Sequence, residues 1–228
     1  MESCGVSQKA MERKANSEKI LALKGIPYNK YLPVIEDEAE VKIRSVEEIG
    51  KRAVALAAVA VRAESRLTGV TLELENELIA NIMEIYGGEN FFSPEEKWYM
   101  NNPVPSEHDS IQFIWRYEAM WVMLWALGYV EKLEYPDKIC DISHAANIIS
   151  MSRSLNELTA AGRKKSKEEI LDEADLIYRY NWACIDARIK GKESPGGMDE
   201  GIVMERHKAL NWLITHMDDE WDSVRTDT

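Results

Sequence analysis

Residues 167–190 read KEEILDEADLIYRYNWACIDARIK, a long helical pattern with charged side chains in unexpected places. At about 100° per residue, one stripe of this helix carries three charges, a Trp and an Ile: Asp175, Arg179, Trp182, Asp186 and Ile189. The other sides are largely apolar, which is typical of a buried helix. Because an unpaired buried charge is costly, we expect these charges either to pair with one another or to line a polar cavity.

Two further helical segments repeat this pattern. In IQFIWRYEAMWVMLWALG, residues 111–128, Arg116 and Glu118 lie on different apolar sides. In GIVMERHKALNWLI, residues 201–214, Glu205 falls beside Trp212 and Arg206 falls among aliphatic residues. The remaining polar positions of this last helix predict its solvent face: His207, Lys208 and Asn211.

These charges are nearly balanced, as a mutually paired network requires. The candidate network or pocket contains three arginines and four carboxylates: Arg116, Arg179, Arg206, Glu118, Asp175, Asp186 and Glu205. One interpretation is a set of structural ion pairs between three core helices. The other is a pocket in which one carboxylate has a raised pKa and acts as a general acid or base. In that case the walls are Trp121, Trp125, Trp182 and Trp212.

Composition limits the classes of function. The chain has 228 residues with 28 basic and 40 acidic side chains, a formal net charge of −12. Such a charge disfavours binding to nucleic acid and to anionic membranes. The three cysteines, Cys4, Cys140 and Cys184, show no CxxC spacing and suit a reducing cytoplasm. The first 20 residues lack the apolar core of a signal peptide, and residues 111–130 are interrupted by charge, so we expect a cytoplasmic protein without a membrane span.

The sequence predicts an all-α fold. We expect a single-domain bundle of about seven to nine helices, with an N-terminal helix over 8–24, an extended arm over 25–44 and a helical core over 45–228. Ser45 with Glu48, and Ser166 with Glu169, have capping-box spacing at helix starts. The Trp-rich pattern predicts one helix from Ser110 to about Leu127. At the C-terminus we expect Trp221 to pack against the protein, because frayed ends seldom need a tryptophan.

No motif assigns a chemistry to the chain. HExxH, GxxxxGK[ST], EF-hand and GxSxG patterns are absent, and no Ser or Cys has an evident base partner. Asp141 and His144 are one helical turn apart, a spacing that is far more often a surface pair than a metal site. We therefore predict neither a metal site nor a cofactor.

Several segments together resemble the family named domain of unknown function 4272. They include NSEKILALKGIPYNKYLPVI, RSVEEIGKRAVAL, WRYEAMWVMLWALG, ILDEADLIYRYNWACIDAR, VMERHKALNWL and the C-terminal WDSVRTDT, in the order that the family has. The resemblance covers nearly the whole chain and implies one full-length domain. It implies no activity, cofactor or catalytic residue.

Two functions remain open from the sequence. The first is binding of another protein, suggested by the net negative charge and by an acidic segment, Glu36 to Glu40, that we expect to be exposed. The second is an enzyme or small-anion binder that uses the arginines, carboxylates and tryptophans above. The oligomeric state and the identity of any partner do not follow from the sequence.

Overall fold

The structure is a computed structural model that describes residues 6–228, apart from the side chain of Glu89. Its described residues form α-helices and short 3-10 turns, with no β-strand among them. The helices are α1 Gln8–Leu23, α2 Val46–Thr68, α3 Leu72–Tyr86, α4 Pro94–Asn101, α5 Glu107–Ile114, α6 Arg116–Leu127, α7 Ile142–Met151, α8 Leu155–Ala160, α9 Lys167–Ile189 and α10 Glu200–Leu213. The all-α prediction is therefore confirmed.

Most helix boundaries follow local capping chemistry. Ser45 and Ser166 form the predicted capping boxes of α2 and α9, in which each side chain satisfies a backbone donor that the helix leaves open. The helix predicted from about Ser110 to Leu127 begins three residues earlier, at Glu107, because Ser106 caps α5. This stretch is also interrupted at Trp115, which nevertheless keeps helical dihedral angles, φ −61° and ψ −17°.

The contacts of the chain group into two compact units. The first contains the described residues up to Arg44 together with Tyr135–Lys138 and Ser166–Thr228, and the second contains Ser45–Glu134 and Ile139–Lys165. That the whole chain is one domain stays a prediction. In the second unit α2 is the central helix, because α3, α4, α5, α6, α7 and α8 all pack against it.

The first unit is built on α9. Both α1 and α10 pack against it, and the extended arm, residues 25–44, runs over these helices. Lys167 Nζ donates to the carbonyls of Glu38 and Val41, at 3.0 and 2.8 Å. At the end of the arm, the Arg44 amide donates to the Leu213 carbonyl at 2.9 Å. The arm is therefore docked, as its apolar residues predict.

The acidic segment of the arm is less exposed than expected. Glu36 and Glu38 are half-buried, and Arg13 binds Glu38 at 2.9 Å and Asp172 at 2.9 Å. The expectation of a fully exposed acidic segment is thus wrong, because part of its charge is used inside the first unit. Only Ala39 and Glu40 at its end are exposed.

The C-terminal segment also packs on the first unit. Trp221 is 3% exposed, and its ring meets that of Trp212 edge to face, with 5.9 Å between centroids. The predicted docking of Trp221 is confirmed. Among the described residues, no helix combines the length and the apolar character that a membrane span requires.

Candidate functional site

Asp175 and Arg179 form a buried ion pair on α9. Arg179 Nε and Nη2 donate to the two carboxylate oxygens of Asp175, each at 2.8 Å. Both residues have 0% exposure. This two-pronged geometry is the strongest form of an arginine–carboxylate contact. A buried ion pair is therefore present in the charged stripe, although it lies within α9 and does not join two helices.

The pair also fixes the arm. Arg179 Nη2 donates to the carbonyl of Pro33 at 3.2 Å, and the guanidinium lies 5.8 Å from the ring centroid of Tyr178. Glu18 Oε1 on α1 is 3.9 Å from Arg179 Nη1. Because the guanidinium is rigid and planar, the bond to Pro33 sets the position of the arm relative to α9.

Pro33 and Tyr178 belong to the wall of a cavity of about 650 Å³ in the first unit, which we call the arm cavity. This volume is within the range of small-molecule sites, about 300–1,000 Å³. Part of the wall is apolar, from Val6, Ala10, Val34 and Ile35. The polar residues that line the arm cavity are Ser7, Glu36, Asp37, Glu40, Tyr178, His207, Asn211, His216 and Asp227.

His207 is the most unusual of these lining residues. It is 1% exposed, and burial lowers the pKa of its imidazole to about 3, with a smaller contribution from His216. The ring is therefore neutral at ordinary pH. The prediction that His207 and Asn211 form a solvent face is wrong, because both are buried where α10 faces the arm and the C-terminal segment.

The tautomer of His207 follows from Asn211. Asn211 Nδ2 donates to the carbonyl of Arg225 at 2.8 Å, and the same nitrogen is 3.2 Å from His207 Nε2. Because Asn211 Nδ2 can only donate, His207 Nε2 accepts and the proton of the neutral ring is on Nδ1. This Nδ1 is buried and has no hydrogen-bond partner among the described residues.

Two asparagines hold the C-terminal segment at the cavity. Asn211 binds the Arg225 carbonyl, and Asn181 Nδ2 on α9 donates to the Thr226 carbonyl at 2.9 Å. Asp227 follows directly and lines the arm cavity. Hydrogen bonds thus hold the C-terminal segment in place as part of the wall of the arm cavity.

His216 and Glu36 close another side of the cavity. His216 Nδ1 bonds the carboxylate of Glu36, and this hydrogen bond raises the pKa of His216. Burial raises the pKa of Glu36, but the bond from His216 outweighs it and the net shift is downward. His216 follows Thr215, which has a left-handed φ of 49° that a β-branched residue rarely adopts.

The lining of the arm cavity is negatively charged. Glu36, Asp37, Glu40 and Asp227 contribute carboxylates, whereas His216 is the one cation among the described lining residues. Hydrogen bonds from Ser7 and from the Ala39 amide lower the pKa of Asp37 and keep it ionised. The electrostatic field in the cavity therefore favours a positively charged group.

The other predicted residues of the first unit are arranged differently. Asp186 is partly exposed and binds Lys190 at 2.7 Å. Trp182 is half-buried, and with Asp186 it lines a more open cleft beside Tyr28 and Tyr31. Glu205, Arg206 and Trp212 are buried on α10. The charged stripe of α9 thus runs from a sealed pair to the surface, where Ile189 is 79% exposed.

Four predicted residues belong to the second unit. Glu118 is buried on α6 and accepts the Cys140 amide at 2.6 Å, which holds the segment before α7. Arg116 is half-buried with its guanidinium 5.5 Å from the Phe113 ring. Trp121 and Trp125 are core residues. That all seven charges share one site stays a prediction.

The buried cysteines bear on nucleophilic chemistry. Cys140 and Cys184 form no disulfide among the described residues, and burial raises the pKa of the Cys184 thiol to about 11. Such a thiol is a weak nucleophile. No group of three or more His, Cys, Asp or Glu side chains within the described residues is placed to hold a metal ion. Cys4 lies outside the described residues.

The described residues thus form helices with buried ion pairs, and the first unit contains a polar cavity. The family model Domain of unknown function (DUF4272) matches residues 13–224, and the chain belongs to this family. The resemblance noted from the sequence is confirmed. Searches of curated proteins and of solved structures each returned no match.

Proposed function

We propose that the protein binds a small molecule in the arm cavity, and that the ligand carries a positively charged amine, a hydrogen-bond acceptor and a short aliphatic part. The single observation that supports this proposal is a cavity of about 650 Å³ whose lining is acidic and contains a buried, half-satisfied histidine. Ligand sites are usually concave pockets in which a small number of polar groups converge. The pKa values of some of these groups are often shifted.

Each part of the ligand corresponds to a part of the wall. The amine is matched by the carboxylates of Asp37, Glu40 and Asp227, since the carboxylate of Glu36 is already bonded to His216. The acceptor is matched by His207 Nδ1, because a buried donor without a partner costs about 1–3 kcal/mol that a ligand acceptor offsets. The aliphatic part is matched by Val34 and Ile35.

A cationic ligand agrees better with the geometry than the small anion that the sequence left open as an alternative. Arg179 contacts this wall through Pro33 and Tyr178, and both of its hydrogen bonds to a carboxylate go to Asp175. Its charge is therefore balanced within α9. The alternative, protein binding through the acidic arm, has less support. Arg13 already binds Glu38, and His216 already binds Glu36.

Calorimetric titration with three matched probes tests the proposal. Aminopentanol carries the amine and the acceptor, pentylamine lacks the acceptor, and hydroxypentanoate replaces the amine by a carboxylate. We expect aminopentanol to bind most tightly and hydroxypentanoate not to bind. Asp227→Asn weakens aminopentanol binding, whereas Asp218→Asn, an exposed change of the same charge in the same unit, leaves it unchanged. Tighter binding of hydroxypentanoate, or equal effects of the two variants, would overturn the proposal.

We also infer a cytoplasmic location. The support is that Cys140 and Cys184 form no disulfide among the described residues, as is usual for a reducing compartment. Fractionation of the native cells tests this, and recovery outside the cytoplasm would contradict it.

A further inference from the structure

The helix α3 in the second unit leaves one apolar side uncovered. Its inner side contains the buried Glu75 and Tyr86 together with the half-buried Ile79, Ile82 and Met83. Leu72, Leu74, Leu78 and Ile85 are instead exposed, by 56%, 46%, 40% and 37%. A helix on a protein surface normally buries its leucines, so these exposed apolar residues call for an explanation.

The attachment of α3 is specific at both ends. Near its start, Glu75 binds Arg62 Nη1 at 3.1 Å and Arg66 Nε at 2.7 Å, both from α2. At its end, the Tyr86 hydroxyl donates to the Ile149 carbonyl at 2.6 Å. These anchors fix the rotation of α3 about its axis, so the outward direction of its leucines is set by the fold.

Three of the exposed residues form one stripe. Leu74, Leu78 and Ile85 are spaced by four and seven residues, which places them within about 40° of one another around the helix. A contiguous apolar stripe on a surface marks a binding face more often than isolated exposed residues do. We call these three residues the α3 stripe.

The charges beside the α3 stripe define its partner. Apart from the buried Glu75, the charged residues of α3 are Glu73, Glu77 and Glu84, all exposed, and the helix contains no Lys or Arg. A second copy of this face would bring like charges together. An anionic membrane surface would be repelled in the same way, since membrane-bound amphipathic helices carry basic flanks.

We propose that the α3 stripe binds an amphipathic helix of another protein, with apolar residues on one face and Lys or Arg beside them. In this mode the apolar side chains on one face of a helix supply the contact, here at i, i+4 and i+11, and the glutamates of α3 pair with the basic flanks of the partner. The site is in the second unit and does not depend on the ligand proposed for the arm cavity.

The test uses the full chain and two designed helical peptides matched in length to α3. One peptide has a Leu stripe with Lys flanks, and the other has the same Leu stripe with Glu flanks. Fluorescence anisotropy is expected to show binding of the Leu/Lys peptide alone. Leu78→Ser weakens this binding by about tenfold, whereas Met151→Ser, which alters a residue that is 77% exposed on α7, leaves it unchanged.

Folding and charge effects are separated by further variants. If Leu78→Ser does not fold, Leu74→Ser is a second variant that interrupts the α3 stripe. Glu73→Gln with Glu77→Gln is expected to weaken binding and to reduce its dependence on salt. The proposal is overturned if the Leu/Lys peptide does not bind, if Met151→Ser weakens binding as much as Leu78→Ser, or if the Leu/Glu peptide binds equally well. It is also overturned if sedimentation shows a dimer that Leu78→Ser dissociates, or if neutral lipid vesicles bind the same face.

Discussion

Arg179 and Asp175 lie one turn apart on α9 and share two parallel hydrogen bonds of 2.8 Å in a place with no solvent contact. The same guanidinium reaches the carbonyl of Pro33 in the arm. One ion pair inside a helix therefore positions a segment that is 146 residues away in the chain. Through Pro33 and Tyr178 it also shapes the wall of the arm cavity.

Asp175→Asn is expected to lower the free energy of unfolding by about 3–5 kcal/mol, because it leaves the buried charge of Arg179 without its counterion. Asp186→Asn is the matched control on the same helix, where the carboxylate is 24% exposed and binds Lys190, and it is expected to cost less than about 1 kcal/mol. Urea denaturation measures both. Similar costs for the two variants would mean that the buried pair does not stabilise the fold as we infer.

The double replacement of Asp175 by Leu and Arg179 by Met separates charge from packing. It removes both charges, so we expect it to be less destabilising than Arg179→Met alone. The double variant is still expected to be less stable than the wild type, because the Pro33 carbonyl loses its hydrogen-bond donor. A double variant that is less stable than either single one would contradict this account.

The His216–Glu36 pair predicts a pH window of stability. The raised pKa of His216 adds stability below its ordinary pKa of 6.5, and this is lost as pH rises through the folded pKa. The lowered pKa of Glu36 adds stability above 4.5, and this is lost as pH falls through the folded pKa. His216→Asn is therefore expected to destabilise the protein more at about pH 5.5 than at about pH 8.5.

Chemical denaturation at the two pH values measures this difference. Glu36→Gln is expected to show the same preference for acid pH, and the double variant adds little, since the two residues act as one pair. A loss that is equal at both pH values would show that the pair is not ionic.

His207 predicts the opposite pH dependence. Its folded pKa of about 3 is below the ordinary 6.5, so the unfolded chain gains a proton first and stability falls as pH falls below 6.5. His207→Gln keeps an acceptor for Asn211 and removes this titration. Between pH 6.5 and about pH 4.5, its stability relative to wild type is expected to rise by about 2 kcal/mol. The control is His108→Gln at an exposed position, and a parallel rise there would refute the assignment.

Replacement of glycine by alanine is expected to destabilise the protein by different amounts at two helix ends. Gly69 and Gly128 both end helices with positive φ, at 73° and 90°. A β-carbon at Gly69 meets nothing, so Gly69→Ala costs about 1–2 kcal/mol for the left-handed backbone alone. At Gly128 a β-carbon would overlap the backbone of Arg163, which adds about 1–3 kcal/mol. Thermal unfolding compares the two, and equal losses would contradict the close approach at Gly128.

The helices were largely predictable because their signals are local. Capping boxes at Ser45 and Ser166 and glycines such as Gly69 and Gly128 determine where helices begin and end. The start of α5 lies before its apolar pattern, because Ser106 and Asp109 have capping spacing while the apolar residues that indicate the helix begin later. The pair of Asp175 with Arg179 was predictable from a four-residue spacing on one helix.

The arm cavity could not be predicted, because its residues come from distant parts of the chain. His207 and Asn211 are polar positions on an amphipathic helix, and such positions usually face solvent. They are buried because the arm and the residues after Trp221 fold over them, and helical periodicity carries no information about such coverage. The signal that was present is Trp221, whose predicted docking implies that its neighbours Arg225 and Asp227 also lie against the protein.

The most direct test of the arm cavity as a ligand site is nitrogen NMR of isotope-labelled histidine during a titration with aminopentanol. The account predicts a neutral His207 protonated on Nδ1 in the free protein, and a shift of that nitrogen when the ligand acceptor binds, with His108 unaffected. A His207 signal that stays unchanged at saturating aminopentanol, or that moves only together with the exposed His108, would contradict it.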